Sequence, residues 1–351
     1  AETMELDVVT KQNLYLRFMS EAVRWLILDE SSGGERWKDI KDEKLKDNIT
    51  FNHSFGSEVL TPDEKKDVLN KYLGYPAFYD FQAEAVAKLD KTSVNMLINS
   101  FTGSGKSLLY QFNAIVKPGL TIVIAPYISI IIDQIQNAPK NLPVLALNSW
   151  LSIPQKAKFL ELIETEQIKL VFVTPEMFLS EILGFVLKHE KLHVSMICVD
   201  ETHCAIPWDA SFRISYLAIK HAIDYLKRSR PQLNTLFLTA TADRRSCNFL
   251  CEQFDILPEN VVESLNYLRK NIEVNFNVVE DQNKEILSLI KKDYAKSKPI
   301  LVFCNFKHST EILSNYLKIN GVKSFCFHSG LTEIDKLTIL ENFGKKAKAN
   351  A

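Results

Sequence analysis

The stretch Asn99-Ser100-Phe101-Thr102-Gly103-Ser104-Gly105-Lys106-Ser107 constrains this chain most, and it follows the apolar run Val94-Asn95-Met96-Leu97-Ile98. A short buried strand, then a glycine-bearing loop, then Lys-Ser opening a helix is the layout of a phosphate-binding P-loop. Gly103 and Gly105 permit positive φ, so the N–H groups of Thr102 to Ser107 can turn inward on an anion. The helix starting near Lys106 aims its positive dipole end at the same point. Lys106 is then placed to reach the β- and γ-phosphates, and the Ser107 hydroxyl to ligate Mg²⁺. Ser100 departs from the strict pattern, standing where the first glycine belongs. The alternative is an ordinary Gly-Ser turn followed by a lysine. Both glycines, the lysine and the serine stand in register between strand and helix, so the stretch predicts a site for a nucleoside triphosphate, ATP with Mg²⁺.

A chain of 351 residues suggests two domains and an appendage. With 46% hydrophobic and 24% charged residues it reads as an ordinary globular protein. Its net charge of −1 requires any nucleic-acid surface to be a local groove. No stretch has the length of a membrane span, and the N-terminus has no signal pattern. The cysteines 198, 204, 247, 251, 304 and 326 mostly sit in apolar runs. Cys247 and Cys251 have no second pair at zinc-ligand spacing, so they read as core thiols of an intracellular protein.

In chain order, residues 11–29 predict an amphipathic helix and 31–48 a polar linker, together an appendage over 1–60 without identifiable chemistry. Thr61-Pro62-Asp63-Glu64 is a helix start. From 61 to 265 strands and helices alternate, with strands expected at 94–99, 120–125, 144–147, 169–173, 194–199 and 234–239. Helical patterns lie between them, such as 106–116, 154–165 and 176–188. Alternation of this kind predicts a parallel sheet with helices on both faces. A second unit, 266–351, repeats the pattern with strands expected at 272–279, 299–304 and 323–327 and a last helix at 332–343. The tail at 345–348 reads as disordered. The basic stretch Lys220, Lys227, Arg228 and Arg230 reads as the solvated face of a helix.

Further chemistry lies in Met196-Ile197-Cys198-Val199-Asp200-Glu201-Thr202-His203. An apolar strand ending in adjacent acids fits a Walker B site, with Asp200 on Mg²⁺ and Glu201 polarising the attacking water. Two acids capping the next helix is the alternative. Leu238-Thr239-Ala240-Thr241 ends another strand in hydroxyls that can bond the acids, a weak signal because threonine is common in strands. Trp208, Phe212, Arg213 and Tyr216 follow the acids, where a loop can stack unpaired bases. Packing of Trp208 and Phe212 between helix and sheet reads the same residues equally well. His203 is either a link between these sites or a core histidine, and His328 either packs or meets a phosphate.

The order Thr-Gly-Ser-Gly-Lys-Ser, Asp-Glu-Thr-His, Thr-Ala-Thr resembles superfamily 2 helicases, and the details resemble the RecQ family of DNA helicases. Leu73-Gly74-Tyr75, Phe78 and Gln82 are similar to that family's adenine-reading segment, which implies that Tyr75, Tyr79 and Gln82 meet the base. Ala125-Pro126-Tyr127-Ile128-Ser129 with Asp133-Gln134 resembles a motif applied to the DNA backbone, implying contacts from Ser129 and Gln134. Val173-Thr174-Pro175-Glu176 resembles the next such motif. Cys204 to Tyr216 resembles the aromatic-rich loop that senses single-stranded DNA, implying DNA contacts from Trp208, Phe212 and Arg213 and coupling through His203, Thr239 and Thr241. Val302-Phe303-Cys304-Asn305 and Phe327-His328-Ser329-Gly330-Leu331 resemble the opening motifs of a second RecA-like domain. The departures are Thr202 for alanine, Tyr79 for arginine, Phe81 for glycine and Ala210 for histidine.

The expected fold is therefore α/β, a P-loop NTPase with one RecA-like domain and part of a second. The expected activity is that of an ATP-dependent 3′-to-5′ DNA helicase, or its motor fragment, acting on single-stranded or forked DNA. A nucleus or prokaryotic cytoplasm is the implied location, and DNA repair and recombination the implied context. A non-unwinding scaffold that binds nucleotide and DNA, or an RNA-directed superfamily 2 helicase, are the alternatives. The resemblance also implies an arginine finger beyond Phe343 that residues 344–351 do not contain, so the sequence predicts slow hydrolysis and no duplex unwinding.

Overall fold

The computed structural model describes residues 59–139, 142–147, 151–264, 272–294, 300–332, 335–336, 338–339 and 342–343. The expectations for 11–29, 31–48 and 345–348 lie outside the described residues. The chain divides into two units, whose described parts fall within 59–264 and within 272–343.

In chain order the first unit contains helices α1 (Pro62–Val68) and α2 (Asp80–Lys88), then strand β1 (Asn95–Asn99) and α3 (Ser107–Val116). Next come β2 (Leu120–Ile124), α4 (Ile128–Gln136), β3 (Val144–Leu147), α5 (Ile153–Glu164) and β4 (Leu170–Val173). They are followed by α6 (Leu183–Lys188), β5 (Val194–Val199), α7 (Ile214–Ser229), β6 (Asn234–Thr239), α8 (Arg244–Gln253) and β7 (Val261–Glu263). The strands form one seven-stranded sheet in the order β3-β4-β2-β5-β6-β1-β7, every pair parallel. The six strands expected from the apolar runs are all present. The edge strand β7 was not legible, because three residues are too few to display a period.

Period-two geometry sends alternate residues of each strand to opposite faces. Met96 and Ile98 of β1 join Val123, Phe172, Cys198 and Leu236 in one core, which the apolar side of α3 completes with Leu109, Phe112 and Ile115. Leu97 faces the other way with Ile122, Val171, Ile197 and Phe237, beneath Ile219, Ile223 and Leu226 of α7 and Leu250 of α8. Both faces are buried, which is why these strands read as continuous apolar runs.

Local signals set the helix starts. Thr61 and Glu64 form a reciprocal capping box ahead of Pro62, as the sequence predicts. Ser152 and Gln155 do the same for α5, and Asp243 caps α8 by accepting from Ser246 N at 2.8 Å. The helix expected over 176–188 is interrupted: Pro175–Met177 is helical, Phe178–Ile182 forms a π turn, and α6 follows.

The basic stretch departs from expectation. Lys220 pairs with Asp224 and with Asp255 at 2.8 Å, and Lys227 bonds the Asn95 side chain. Arg230 donates to the carbonyls of Val186, His189 and Leu192, leaving Arg228 as the exposed member. A charge count cannot distinguish a solvated lysine from one whose stem lies along the protein and whose head reaches a carbonyl.

The second unit contains α9 (Gln282–Leu289), continued by a π turn, and α10 (Lys307–Ile319). Ile290, Leu313 and Leu317 are buried together, with Ile286, Leu287, Val302, Cys304 and Val322 packed against them. The strands expected at 272–279, 299–304 and 323–327 are not formed in the described residues. Burial does alternate along 322–328, so the sequence pattern correctly marks which side is covered. A ladder needs in addition a neighbouring backbone about 4.8 Å away, which periodicity cannot report. Described residues 335–336, 338–339 and 342–343 of the last expected helix are helical.

Candidate functional site

Strands β5, β6 and β1 are consecutive in the sheet, and each ends in one of the polar segments singled out above. Parallel strands share a carboxyl edge, so the loop after β1, the acids after β5 and the threonines of β6 meet at one rim. Asn99 lies opposite Thr239 in the ladder, and Ser100 N donates to Thr239 O at 3.1 Å.

The loop after β1 has the expected form. Gly103 and Gly105 sit at φ 82° and 83°, in the left-handed region that a Cβ disfavours. The Lys106 ammonium folds back on the loop, donating to Ser100 O at 2.6 Å and Phe101 O at 3.1 Å. Ser107 is the first residue of α3. Thr102 is exposed and Ser104 buried. Ser100, in the first-glycine position, is fully buried. The Oγ atoms of Ser100 and Ser104 and the Oδ1 of Asn99 are buried without a hydrogen-bond partner. A buried hydroxyl without a partner is costly, and phosphate oxygens at this loop are of the chemistry that would satisfy one.

Gln82 has a place its sequence did not disclose. It is 2% exposed, and its Nε2 donates to Gly105 O at 3.0 Å while its Oε1 accepts from Tyr79 N at 2.9 Å. Its amide thus braces the loop, and a Cβ on Gly105 would meet its Nε2 at 2.7 Å. Tyr75 and Tyr79 are exposed, 53% and 67%.

At the end of β5, Asp200 Oδ1 accepts from Glu201 N at 2.9 Å. Burial, and then the adjacent Glu201 charge, push the Asp200 carboxyl up to about 7 against the opposing pull of the Lys106 charge. Asp200 and Ser107 carry hard oxygen donors of the kind that could hold Mg²⁺. Glu201 adopts φ 49°, a left-handed geometry in a non-glycine residue, which turns the chain sharply into the 3₁₀ turn Thr202–Ala205. His203 Nδ1 lies 3.2 Å from Glu201 Oε2 and 3.3 Å from Thr239 Oγ1, so one ring nitrogen joins the acid to β6. Thr241 N donates to that same Thr239 hydroxyl at 3.4 Å. Tyr216 of α7 donates its hydroxyl to Asp200 O at 2.9 Å.

The loop leading to α7 divides the two readings of its aromatic residues. Trp208 and Phe212 remain 47% and 38% exposed, so they do not plug the core. Trp208 meets the Phe249 ring edge to face at 5.0 Å, and the Arg245 guanidinium lies 4.4 Å from its ring centre. The Arg213 guanidinium covers the Tyr127 ring at 4.5 Å, with Glu176 Oε1 4.0 Å away. Gln134 Oε1 accepts from the buried Tyr110 hydroxyl at 2.7 Å, tying α4 to α3. Ser129 lies in the first turn of α4. His328 pairs with Glu311 at 3.2 Å inside the second unit. Arg245 and Phe249 were missed in the sequence. Their spacing of four places them on one face of α8, the only signal that could have marked them.

Residues 79–249 match the DEAD/DEAH box helicase family. The Arabidopsis thaliana protein named ATP-dependent DNA helicase Q-like 5 is 32% identical over 279 residues, which are 79% of this chain and 30% of that protein. ATP-dependent DNA helicase RecQ of Synechocystis is 29% identical over 76% of this chain and 56% of its own length. Human ATP-dependent DNA helicase Q4 is 28% identical over 75% of this chain and 22% of its own. The chain thus spans roughly a fifth to just over half of these relatives. The DUF1998 helicase MrfA bound to DNA superposes with a TM-score of 0.58 at 16% identity, over 81% of this chain and 43% of that one. At that identity the likeness is one of fold.

Proposed function

We infer, for a chain that carries a DEAD/DEAH box helicase domain and has RecQ-type helicases as relatives, that it couples Mg²⁺-ATP hydrolysis to movement along single-stranded DNA. The observation that carries this reading is the chain of contacts Glu201–His203–Thr239 at the rim that also holds the phosphate loop. A hydrolytic carboxylate tied to a neighbouring strand can respond to what that strand and its loops bind.

Each residue has a part the geometry supports. The loop amides and Lys106 bind and neutralise the β- and γ-phosphates once the lysine exchanges its carbonyl partners for phosphate oxygens. Asp200 and Ser107 would hold Mg²⁺, which supplies charge neutralisation for phosphoryl transfer. A carboxyl raised to about 7 gives up its proton readily when a cation arrives. Glu201, held in its turn by His203, orients the attacking water. Tyr75 and Tyr79 offer faces to the base, and Gln82 transmits their state to Gly105. Trp208, Phe212 and Arg213 meet unpaired bases, and the RecQ kinship adds backbone contacts from Ser129 and Gln134 on α4. Movement in the 3′-to-5′ sense follows the RecQ kinship.

The test is steady-state ATPase with saturating oligo-dT, with oligo-U and with neither. Marked stimulation by DNA, and little by RNA, is expected. Preferential stimulation by RNA would assign the chain to RNA-directed helicases, and hydrolysis unmoved by either would leave a nucleotide-binding scaffold.

A further inference from the structure

We propose that Arg245, on the first turn of α8, is a DNA-contact residue that both sets the Trp208 ring and receives the phosphate of the nucleotide stacked on it. This rests on the reading of Trp208 as a base-stacking residue. Nothing in the family motifs quoted above includes α8.

Three observations converge on Arg245. First, its guanidinium lies 4.4 Å from the Trp208 ring centre, while Phe249, one turn on, meets the same ring at 5.0 Å. Two contacts from one rigid helix fix the orientation of a ring on an irregular loop, and the ring is still 47% exposed, enough to receive a base. Orienting the ring beforehand removes part of the ordering cost of binding.

Second, the charge sits where local preference opposes it. Arg244 and Arg245 occupy the first turn of α8, the positive end of the helix dipole, where acids are favoured. Both are exposed, and among the described residues neither makes an ion pair. The neighbouring Asp243 carboxyl is committed to capping Ser246, which holds it below the usual carboxylate range with help from the Arg245 charge. A charge placed against local preference marks a candidate functional position. A guanidinium group beside an exposed indole, with a second exposed arginine next to it in sequence, suits a phosphate next to a stacked base.

Third, α8 is joined to the hydrolytic rim. It begins three residues after Thr241, whose N–H bonds the Thr239 hydroxyl that also meets His203. A nucleotide held between the loop and α8 therefore bears on both flanks of the Glu201–His203–Thr239 contact.

The experiment is fluorescence anisotropy of the 351-residue chain with labelled oligo-dT over a series of KCl concentrations, for wild type, Arg245→Ala, Arg245→Lys and Phe249→Leu. Each lost phosphate contact removes about 0.7 from the slope of log K against log salt for a single strand. Arg245→Ala is expected to weaken binding on the order of tenfold at low salt and to reduce that slope by about 0.7. Arg245→Lys should keep the slope, and Phe249→Leu should weaken binding without changing it, since it disturbs only the ring. A merely structural role would leave the slope alone. An unchanged slope or tighter binding in Arg245→Ala, with wild type binding DNA normally, overturns this proposal and leaves the functional reading standing. No DNA binding by wild type overturns both.

Discussion

Lys106 and Glu201 face the same chemistry with opposite charges. The lysine bonds carbonyls of its own loop, Ser100 O and Phe101 O. These two partners are backbone carbonyls, and the buried Asp200 carboxyl, which feels the Lys106 charge, can take up a proton when the lysine is removed. Lys106→Ala should therefore fold normally, lose hydrolysis by at least two orders of magnitude, and bind ATP more weakly, as removal of one preorganised charge does. Near-normal ATPase in that variant would take the phosphate site elsewhere. Glu201→Gln preserves shape but removes the carboxylate that meets His203. Turnover should fall by about 10² or more while ATP binding persists. Fluorescent-nucleotide titration beside phosphate release separates the two effects, and a Glu201→Gln variant with unimpaired turnover would reassign the water-orienting role.

Among elements, the loop between β5 and α7 matters most because it touches three neighbours. Trp208 leans on α8, Arg213 covers Tyr127 ahead of α4, and the hydroxyl of Tyr216 holds the backbone of Asp200. The Arg213–Glu176 contact is long and exposed, so it contributes little to stability. Trp208→Ala and Arg213→Ala should accordingly leave basal ATPase and melting temperature nearly unchanged. Stimulation by oligo-dT should drop several-fold, since one base stack is worth about 1–3 kcal/mol. Equal stimulation in both variants and wild type would return these residues to packing. The expected strands of the second unit teach the complementary lesson. Val302, Cys304 and Val322 pack inward as their alternation implies, yet no ladder forms there among the described residues.

For the whole molecule, the end of the sheet opposite the site has its own constraint. Lys169 is 8% exposed, and its ammonium donates to Lys117 O and Gly119 O beyond the end of α3. Burial drives its pKa down to about 8. The folded state thus disfavours the ammonium, a penalty fully present below pH 8 and relieved as pH rises toward the ordinary lysine value. Comparison with Lys169→Met isolates this group. Measured by urea unfolding, wild type should gain on the variant by about 1–2 kcal/mol between pH 8 and pH 10. A stability gap independent of pH would show that this ammonium is solvated in the fold.

The amino-acid sequence by itself determined six of the sheet's seven strands, the form of the phosphate loop and the acids and threonines that end β5 and β6. These follow from short-range rules: apolar runs long enough to be buried on both faces, glycines where φ must be positive, and small polar residues at strand ends. Tertiary structure alone decided the strand order that brings β1, β5 and β6 together, because register and adjacency depend on residues far apart in the chain, 140 positions for Asn95 and Thr235. It alone set Gln82 as a brace on Gly105, and turned Lys220, Lys227 and Arg230 from a solvated face into internal ties. It alone set Arg245 and Phe249 against Trp208. The physical reason is common to all of these. A side chain's hydrogen-bonding and stacking capacity is written in its chemistry, but which partner uses that capacity depends on what the rest of the chain brings within about 4 Å.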